Sequence, residues 1–465
     1  MTKSLNIVVC GAGISETVTD LLNGSADTIL GLGAAIALKR KGHQVSVIEA
    51  ASQLQEIGAG IQVPPNSSRI LKSWGLETKF IAKVMCPKSV ATRRYATGEV
   101  IGRTEMNPVL QDKYGFPYWF IHRADYQNIL YDAAIEAGIQ ILLGTPIESV
   151  DEKEPTVILA SGKELKADLI VGADGVRSRT RASVLKEEVE ALESSQCAYS
   201  ATVPVNLMNS DPNLAHLMTD VNANLWLGPD GHIMGYPIRN GEVYNLVLVS
   251  PGKASVGKWN DRADVEEMRS RHAEWEPTVQ RLLSHVTTCL KWKLAYVPPL
   301  ERWASKNGRV VIIGDAAHAM LPLLSQGAAV SIEDGTALAE CLDRVTDLVD
   351  LSPVLRAFQD LRKSRCETIS KAALSLVDLW HLHDGPEQEG RDLKMKQDMT
   401  NTVGVTSDSK SSFDMMRDKF VPWMFGYDTV RQANMFLDSH LTRKGIGEGF
   451  VSRAIEQGGF LSLGQ

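Results

Sequence analysis

The chain opens on a short continuous apolar run, LNIVVC at 5–10, the pattern of a strand buried on both faces of a parallel sheet. A second run, QVSVIE at 44–49, ends on a carboxylate, and residues 34–41 between them read as a helix stopped by Gly42. Residues 126–138 predict another helix, 139–143 a strand, and a strand at 169–171 runs into GADGVRSRTR. From Cys197 to Leu300 the pattern becomes short alternating strands with GPDG and GYPIRNG turns, with few helices outside 262–286. That stretch predicts an antiparallel sheet. Strand–turn–helix then returns with RVVIIGDAAHAM and QGAAVSIEDGTALAECL, followed by a helical end with a polar stretch at 401–412 that is expected to be mobile. The predicted organisation is an α/β domain interrupted by a β-rich one. Residues 1–85, 120–195 and 299–345 make up the first, 86–119 and 196–298 the second, and 346–465 a C-terminal helical region.

The turn after the first strand reads GAGISETVTDLLNGSADTILGLG at 11–33. Removing residues 16–30 joins GAGIS to GLGAA and restores G-x-G-x-x-G with Gly11, Gly13 and Gly31. In such a turn Gly11 permits the tight bend, Gly13 lets backbone approach a pyrophosphate, and Gly31 lets the helix pack on the strand. The acid that such a unit places on a ribose is found at Glu49, 38 positions after Gly11, or 23 with the fifteen extra residues discounted. The inserted residues fall where main-chain donors must converge. They could be a tolerated excursion, the mark of a nonfunctional variant, or translated intervening sequence; the clean restoration of the motif favours the last.

Composition narrows the partners. With 465 residues, 44% hydrophobic and 23% charged, the chain has the make-up of an ordinary globular protein of two or three domains. A net charge of −7 argues against nucleic acid or an anionic membrane as the main partner. No apolar run approaches transmembrane length, and MTKSLN leads directly into a strand, so no signal peptide is read and a cytoplasmic location is expected. Cys10, Cys86, Cys197, Cys289, Cys341 and Cys366 are scattered without metal-ligand spacing, so no metal is expected and the thiols read as reduced core residues.

Two more motifs follow strands. Asp174–Arg181 has the form D-G-x-x-S-x-x-R, and GDAAHAMLP at 314–322 sets Asp315 at a strand end, where a carboxylate can bind a second ribosyl or ribityl chain. A helix starting near Gly327 would aim its N-terminal dipole at a ring lying over the sheet. A nicotinamide dehydrogenase has no need of this second site.

Together GAGIS/GLGAA, Glu49, EIGAGIQVPPNSSRIL, HRADYQNIL, DGVRSRTR and GDAAHAMLPLLSQGAAVSIED resemble the FAD-dependent single-component aromatic monooxygenases, within them the salicylate hydroxylase-like, fungal-type group. The resemblance covers about residues 5–385, and FVPWMFGYDTVRQA is similar to that group's C-terminus. It implies an α/β fold: a Rossmann-like FAD domain of the glutathione reductase/p-hydroxybenzoate hydroxylase type, an inserted antiparallel substrate sheet, and C-terminal helices. It further implies that Glu49 binds the adenosine ribose and that residues 58–62, including Gly60, run beside the isoalloxazine. Arg123 would support FAD, Asp315 would bind its ribityl-pyrophosphate part, and Gly327 and Ala328 would supply backbone donors to the ring. Asp174 and Arg181 would serve FAD and transient NAD(P)H contacts. The implied reaction uses NAD(P)H and O₂ to hydroxylate a phenolic ring, salicylate- or aromatic-polyketide-like, through a flavin C4a-hydroperoxide, within secondary metabolism. A homodimer is possible in such a family.

Ionising a phenol at pH 7 costs about 4 kcal/mol, so a hydrogen-bonding partner beside the ring is useful. GHIMGYPIRNG offers His232 and Tyr236, four apart and therefore on one face of a strand, as catalytic candidates; the resembling hydroxylases carry this pair facing substrate. His318 in GDAAH is read as structural, and Pro322 as aiming a backbone carbonyl at the substrate hydroxyl. Ser200 stands where relatives often carry an arginine, which leaves a carboxylate substrate without its clamp. The competing readings are a flavoprotein epoxidase or reductase acting on an alkene, and an FAD-binding protein silenced by residues 16–30.

Overall fold

A computed structural model of the chain describes residues 2–11, 27–52, 60–219, 222–254, 261–400 and 416–441. The apolar runs at 5–10 and 44–49 form adjacent parallel strands, Asn6–Cys10 and Gln44–Ile48, in a five-stranded sheet. Its order is Val310–Ile312, Leu169–Gly172, Asn6–Cys10, Gln44–Ile48, Gln140–Leu142, and every neighbouring pair is parallel. Leu169–Gly172 is wholly buried, which is why it reads as an unbroken apolar run.

Helices Asp27–Arg40 and Gly327–Leu342 pack together, and they touch where neither has bulk. A Cβ on Gly335 would lie 2.6 Å from the Ala34 Cα. Between residues 15 and 33 the sequence reading places no helix, yet the first helix already begins at Asp27. The last four residues of the extra segment, 27–30, are thus helical and form the first turn of that helix. The helical stretch expected at 262–286 is two helices, Val265–Arg271 and Pro277–Ser284, the second opened by its proline. The polar stretch at 401–412 lies outside the described residues.

The second layer is an eight-stranded sheet in the order Asp261–Arg262, Leu290–Tyr296, Leu192–Pro204, Val243–Pro251, Gly231–Ile238, Ala223–Gly228, Ser89–Arg94, Val100–Glu105. All its pairings are antiparallel except Ala223–Gly228 with Ser89–Arg94. One face carries Tyr199, Trp226, Ile233, Tyr244 and Leu246 into a core closed by Met268 and Leu282. The opposite face, with Ala198, Val247 and Val249, meets Leu321 and Leu323 and the helix Leu351–Trp380. A two-stranded ribbon, Gly60–Val63 with Trp119–His122, links the layers. Among the described residues no helix is long and apolar enough to cross a membrane. Five cysteines are buried, but Cys86 is exposed, so it is not the core residue expected.

The Gly335–Ala34 contact is between backbones and cannot yield by a rotamer change. Gly335→Val is expected to destabilise the fold by about 1–3 kcal/mol, read as a lowered thermal midpoint. Gly390→Ala, at a helical site where an added Cβ meets nothing within 4 Å, serves as the control and should not lower it.

Candidate functional site

Because four neighbouring strands run parallel, their C-terminal ends share one edge of the sheet. Along that edge the chain places Gly314–Asp315, Ala173–Asp174, Gly11 and Glu49 in turn, the arrangement in which α/β sheets bind extended ligands. Gly11 and Gly31 meet there: a Cβ on Gly31 would lie 3.2 Å from the Gly11 Cα, and one on Gly11 would lie 3.3 Å from the Gly31 Cα. The first and third glycines of the interrupted motif are therefore in contact despite the extra residues. Gly13 lies outside the described residues. Glu49 is buried directly after its strand, and its Oε1 accepts from the Ala51 N–H at 2.9 Å.

Asp174 and Arg181 brace this edge from within. The Asp174 carboxylate is fully buried and accepts from Ser178 Oγ at 2.5 Å and from the Thr180 N–H and hydroxyl at 2.9 Å each. These bonds fill three of the roughly four acceptor positions of the carboxylate. Arg181 donates to the carbonyls of Val176, Val189 and Ala316, so it ties the D-G-x-x-S-x-x-R turn to the GDAAH turn. The geometry thus gives both residues a bracing role within the edge.

Asp315, half-buried, opens the short helix Asp315–His318, and the turn before it is held by Asp334. Asp334 accepts from the Gly314 N–H at 3.0 Å, His318 Nε2 at 2.5 Å and Arg362 Nε at 2.8 Å, all buried. Burial opposes charge on His318, but the adjoining Cys366 and Asp334 raise its pKa well above the ordinary histidine value. His318 lies buried beneath the turn, bonded through Nε2 to Asp334. Ligand atoms of His318, Asp334 and Cys366 lie within 4.8 Å of one another, yet Asp334 is already paired to a guanidinium that would repel a metal ion.

Helix Gly327–Leu342 begins where the sequence reading put it. A Cβ on Gly327 would meet nothing within 4 Å, so space is open above the helix start, and Ala328 is half-buried beside it. The preceding Gln326 is buried, and Asn66 Nδ2 donates to its Oε1 at 3.0 Å and to Glu333 Oε1 at 2.7 Å. Gln326 Nε2 and Asn66 Oδ1 are buried without a hydrogen-bond partner. Orphaned amide groups beside a helix N-terminus fit the polar edge of a bound ring. Neither residue was singled out from sequence, although both lie within quoted motifs.

The facing sheet surface carries the other candidates. Gly60 begins the linking ribbon; its N–H donates to Asn245 Oδ1 at 2.7 Å, and a Cβ there would lie 2.5 Å from the Tyr236 ring. The bare Cα is therefore what admits Tyr236, which also stacks on Phe120 with centroids 4.3 Å apart. Residues 58 and 59 of the expected flavin-flanking segment lie outside the described residues. Tyr118 donates to Gln62 Oε1 at 2.6 Å beside Tyr236. Burial first, then Tyr118, push the Tyr236 phenol far above its usual range, so it is a neutral donor. His232 lies on the same strand, buried, its pKa lowered by burial and by His381. Ser200, opposite Val247, is also buried, Pro322 is exposed at the start of the turn Pro322–Leu324, and half-buried Arg123 opens helix Arg123–Glu136.

Residues 28–353 match the family described as FAD binding domain; the match begins inside the interrupted segment. FAD-dependent monooxygenase OpS4 of Beauveria bassiana (strain ARSEF 2860) is 34% identical over 435 residues, 93% of this chain and 97% of that protein. The 3-amino-4-hydroxybenzoate 2-monooxygenase of Streptomyces cremeus is 32% identical over 405 residues, 86% of this chain and 94% of its own. Among solved structures, a salicylate hydroxylase substrate complex superposes with TM-score 0.72 at 23% identity, covering 93% of this chain and 98% of that one, a likeness of fold.

Excising residues 16–30 should leave the Gly11–Gly31 contact in place while restoring the G-x-G-x-x-G spacing. The shortened protein is expected to bind FAD about tenfold more tightly than the full-length chain, measured by flavin titration. Equal affinities would show the insert to be a tolerated excursion.

Proposed function

The chain belongs to the FAD-dependent monooxygenases, and on that premise we propose that it uses NAD(P)H and O₂ to hydroxylate an electron-rich phenolic ring. FAD, once bound, carries electrons from NAD(P)H to O₂ and supplies an electrophilic oxygen. Glu49 would hold one ribose, the Gly11–Gly31 turn the pyrophosphate, and Asp315 the ribityl side. Gly327, Ala328 and the Gln326 amide would meet the polar edge of the ring.

The observation that carries the substrate reading is the sheet face beneath this edge, where His232 and Tyr236 lie among apolar neighbours. Half-buried Met234 and Val247 line the same face, with Leu323 and Leu324 of the turn above it. Such a surface binds a flat ring, and the His232 and Tyr236 side chains reach the ring's oxygens. A neutral Tyr236 can donate to a phenolate oxygen but cannot take a proton from a phenol at neutral pH. Its contribution is to favour the anionic form, the more nucleophilic one. Water exclusion falls to the apolar turn Pro322–Leu324 and the helix Leu351–Trp380. With a buried Ser200 and no cation shown at that position, a neutral phenol suits the face better than a benzoate. The aromatic acids named in some relatives point to the ring class only.

The test is NAD(P)H oxidation by the flavin-loaded protein, screened across phenols and matched alkenes with oxygen uptake recorded. Stimulation by phenols supports the reading, whereas stimulation by alkenes alone replaces it with epoxidation. Tyr236→Phe is expected to lower kcat/KM for the best phenol about 10–100-fold with the flavin spectrum unchanged.

A further inference from the structure

Two imidazoles meet at the end of the candidate substrate face. His232 Nδ1 and His381 Nε2 are 2.8 Å apart, and the rings stack with centroids 5.1 Å apart at 24°. Both residues are buried, and Trp380 sets its edge against the His232 ring. His381 directly follows the helix Leu351–Trp380 and is held rigidly. Its N–H donates to the Val377 carbonyl at 3.1 Å, and its carbonyl accepts from the Asp230 N–H at 3.2 Å. Arg391 donates to the carbonyls of Leu379 and Trp380 at 3.0 and 3.1 Å, closing the end of that helix with a cation.

A nitrogen–nitrogen hydrogen bond needs one donor and one acceptor, so the protonation of one ring dictates that of the other. Neither ring is charged at neutral pH. Burial lowers His381 to about 4, against the opposing pull of Asp230 and Asp378, with Arg391 adding to the drop. Burial, and then His381, hold His232 well below the ordinary histidine value. Each ring therefore carries one N–H. The decisive atom is His381 Nδ1, which is buried with no hydrogen-bond partner. A proton on Nδ1 would be an orphaned donor, costing about 1–3 kcal/mol, and buried orphan N–H groups are rarer than under-used acceptors. A proton on Nε2 is instead given to His232 and leaves a bare lone pair at Nδ1. His232 Nδ1 is then the acceptor, and the proton of His232 must reside on Nε2.

We propose that His381 is a positioning residue that fixes the tautomer of His232, so that His232 presents Nε2–H as a hydrogen-bond donor to an oxygen of the bound ring. The substrate half of this inference rests on the reading that the His232–Tyr236 face holds that ring; the tautomer half does not. His232 is thereby a partner of Tyr236 in stabilising a phenolate, and it does not act as the base that creates one. Both polar groups on the face then offer protons, which selects for ring oxygens that are anionic or strong acceptors. Sequence could not show this, because 149 positions separate the two histidines.

The experiment uses the flavin-loaded full-length protein with ¹⁵N-labelled histidine, the His232 signals being assigned by their loss in His232→Gln. Long-range proton–nitrogen correlation is expected to show Nε2–H and bare Nδ1 for His232. In His381→Phe the two tautomers should mix, and in His381→Glu, whose carboxylate can only accept, the proton should move to Nδ1. Finding Nδ1–H or a doubly protonated His232 in the unaltered protein would overturn the inference, as would an unchanged signal in His381→Phe. A phenol titration run on the same samples should show about tenfold weaker binding in His381→Phe, the weight of one charge-assisted hydrogen bond. If the tautomers behave as expected but that variant binds phenols unchanged, the substrate-facing role of His232 is overturned. If no phenol binds the unaltered protein, the fault lies with the reading of the face.

Discussion

The buried pair Glu333–Asp334 is the constraint on which the cofactor edge depends. Two adjacent carboxylates sit inside helix Gly327–Leu342 with no solvent exposure. Such charges persist in a protein interior only when every oxygen is compensated. Arg362 reaches both, at 2.8 Å to each, and Arg365 grips Glu333 with two bonds of 2.8 and 2.9 Å. The remaining capacity goes to groups that matter for binding: Asp334 to the Gly314 N–H and His318, Glu333 to Asn66. The Asp315 turn and the Gly327 helix start, some dozen residues apart in sequence, are thus set by neighbouring carboxylates on one helical turn. Electrostatic need, more than apolar packing, fixes the relation between the two places where a flavin would be held.

Much of this edge was legible in the sequence because its parts are local. A strand, a glycine and an acid appear within a few residues of one another at Gly11, Glu49 and Asp315, and the start of a helix at Gly327 is marked by small residues after a polar one. What could not be read is pairing across distance. Nothing near Asp174 tells that its carboxylate is saturated by Ser178 and Thr180, because the motif has the same letters whether it touches a ligand or braces a turn. Gly60 was legible only as part of a segment that the resemblance sets beside the ring; that its bare Cα makes room for Tyr236, far along the chain, was not. Asn245, which accepts from Gly60, lies in an ordinary strand pattern and gives no signal at all.

The interruption illustrates the difference between chain distance and spatial distance. The Gly11–Gly31 contact is a close approach of two backbones, tight enough that an added side chain would push them apart by a few tenths of an ångström. Its geometry asks only that the first strand and first helix pack on each other, which the apolar residues Val9, Leu32 and Ile36 ensure. The fold can therefore form around the insert. Phosphate binding demands more, since it needs specific main-chain donors between the two glycines, and that is the segment that the extra residues rewrite.

One feature of the tail bears on how the molecule is assembled. Arg365 donates to the Trp423 and Met424 carbonyls at 3.4 and 3.0 Å, and its guanidinium lies 3.8 Å from the centre of the Tyr427 ring. Without residues 423–427 that cation would keep its carboxylate but lose the carbonyls and the aromatic cover that seal it from water. Residues 423–427 thus act as a clasp over the Arg365–Glu333 pair, and through it over the carboxylates that set the cofactor edge.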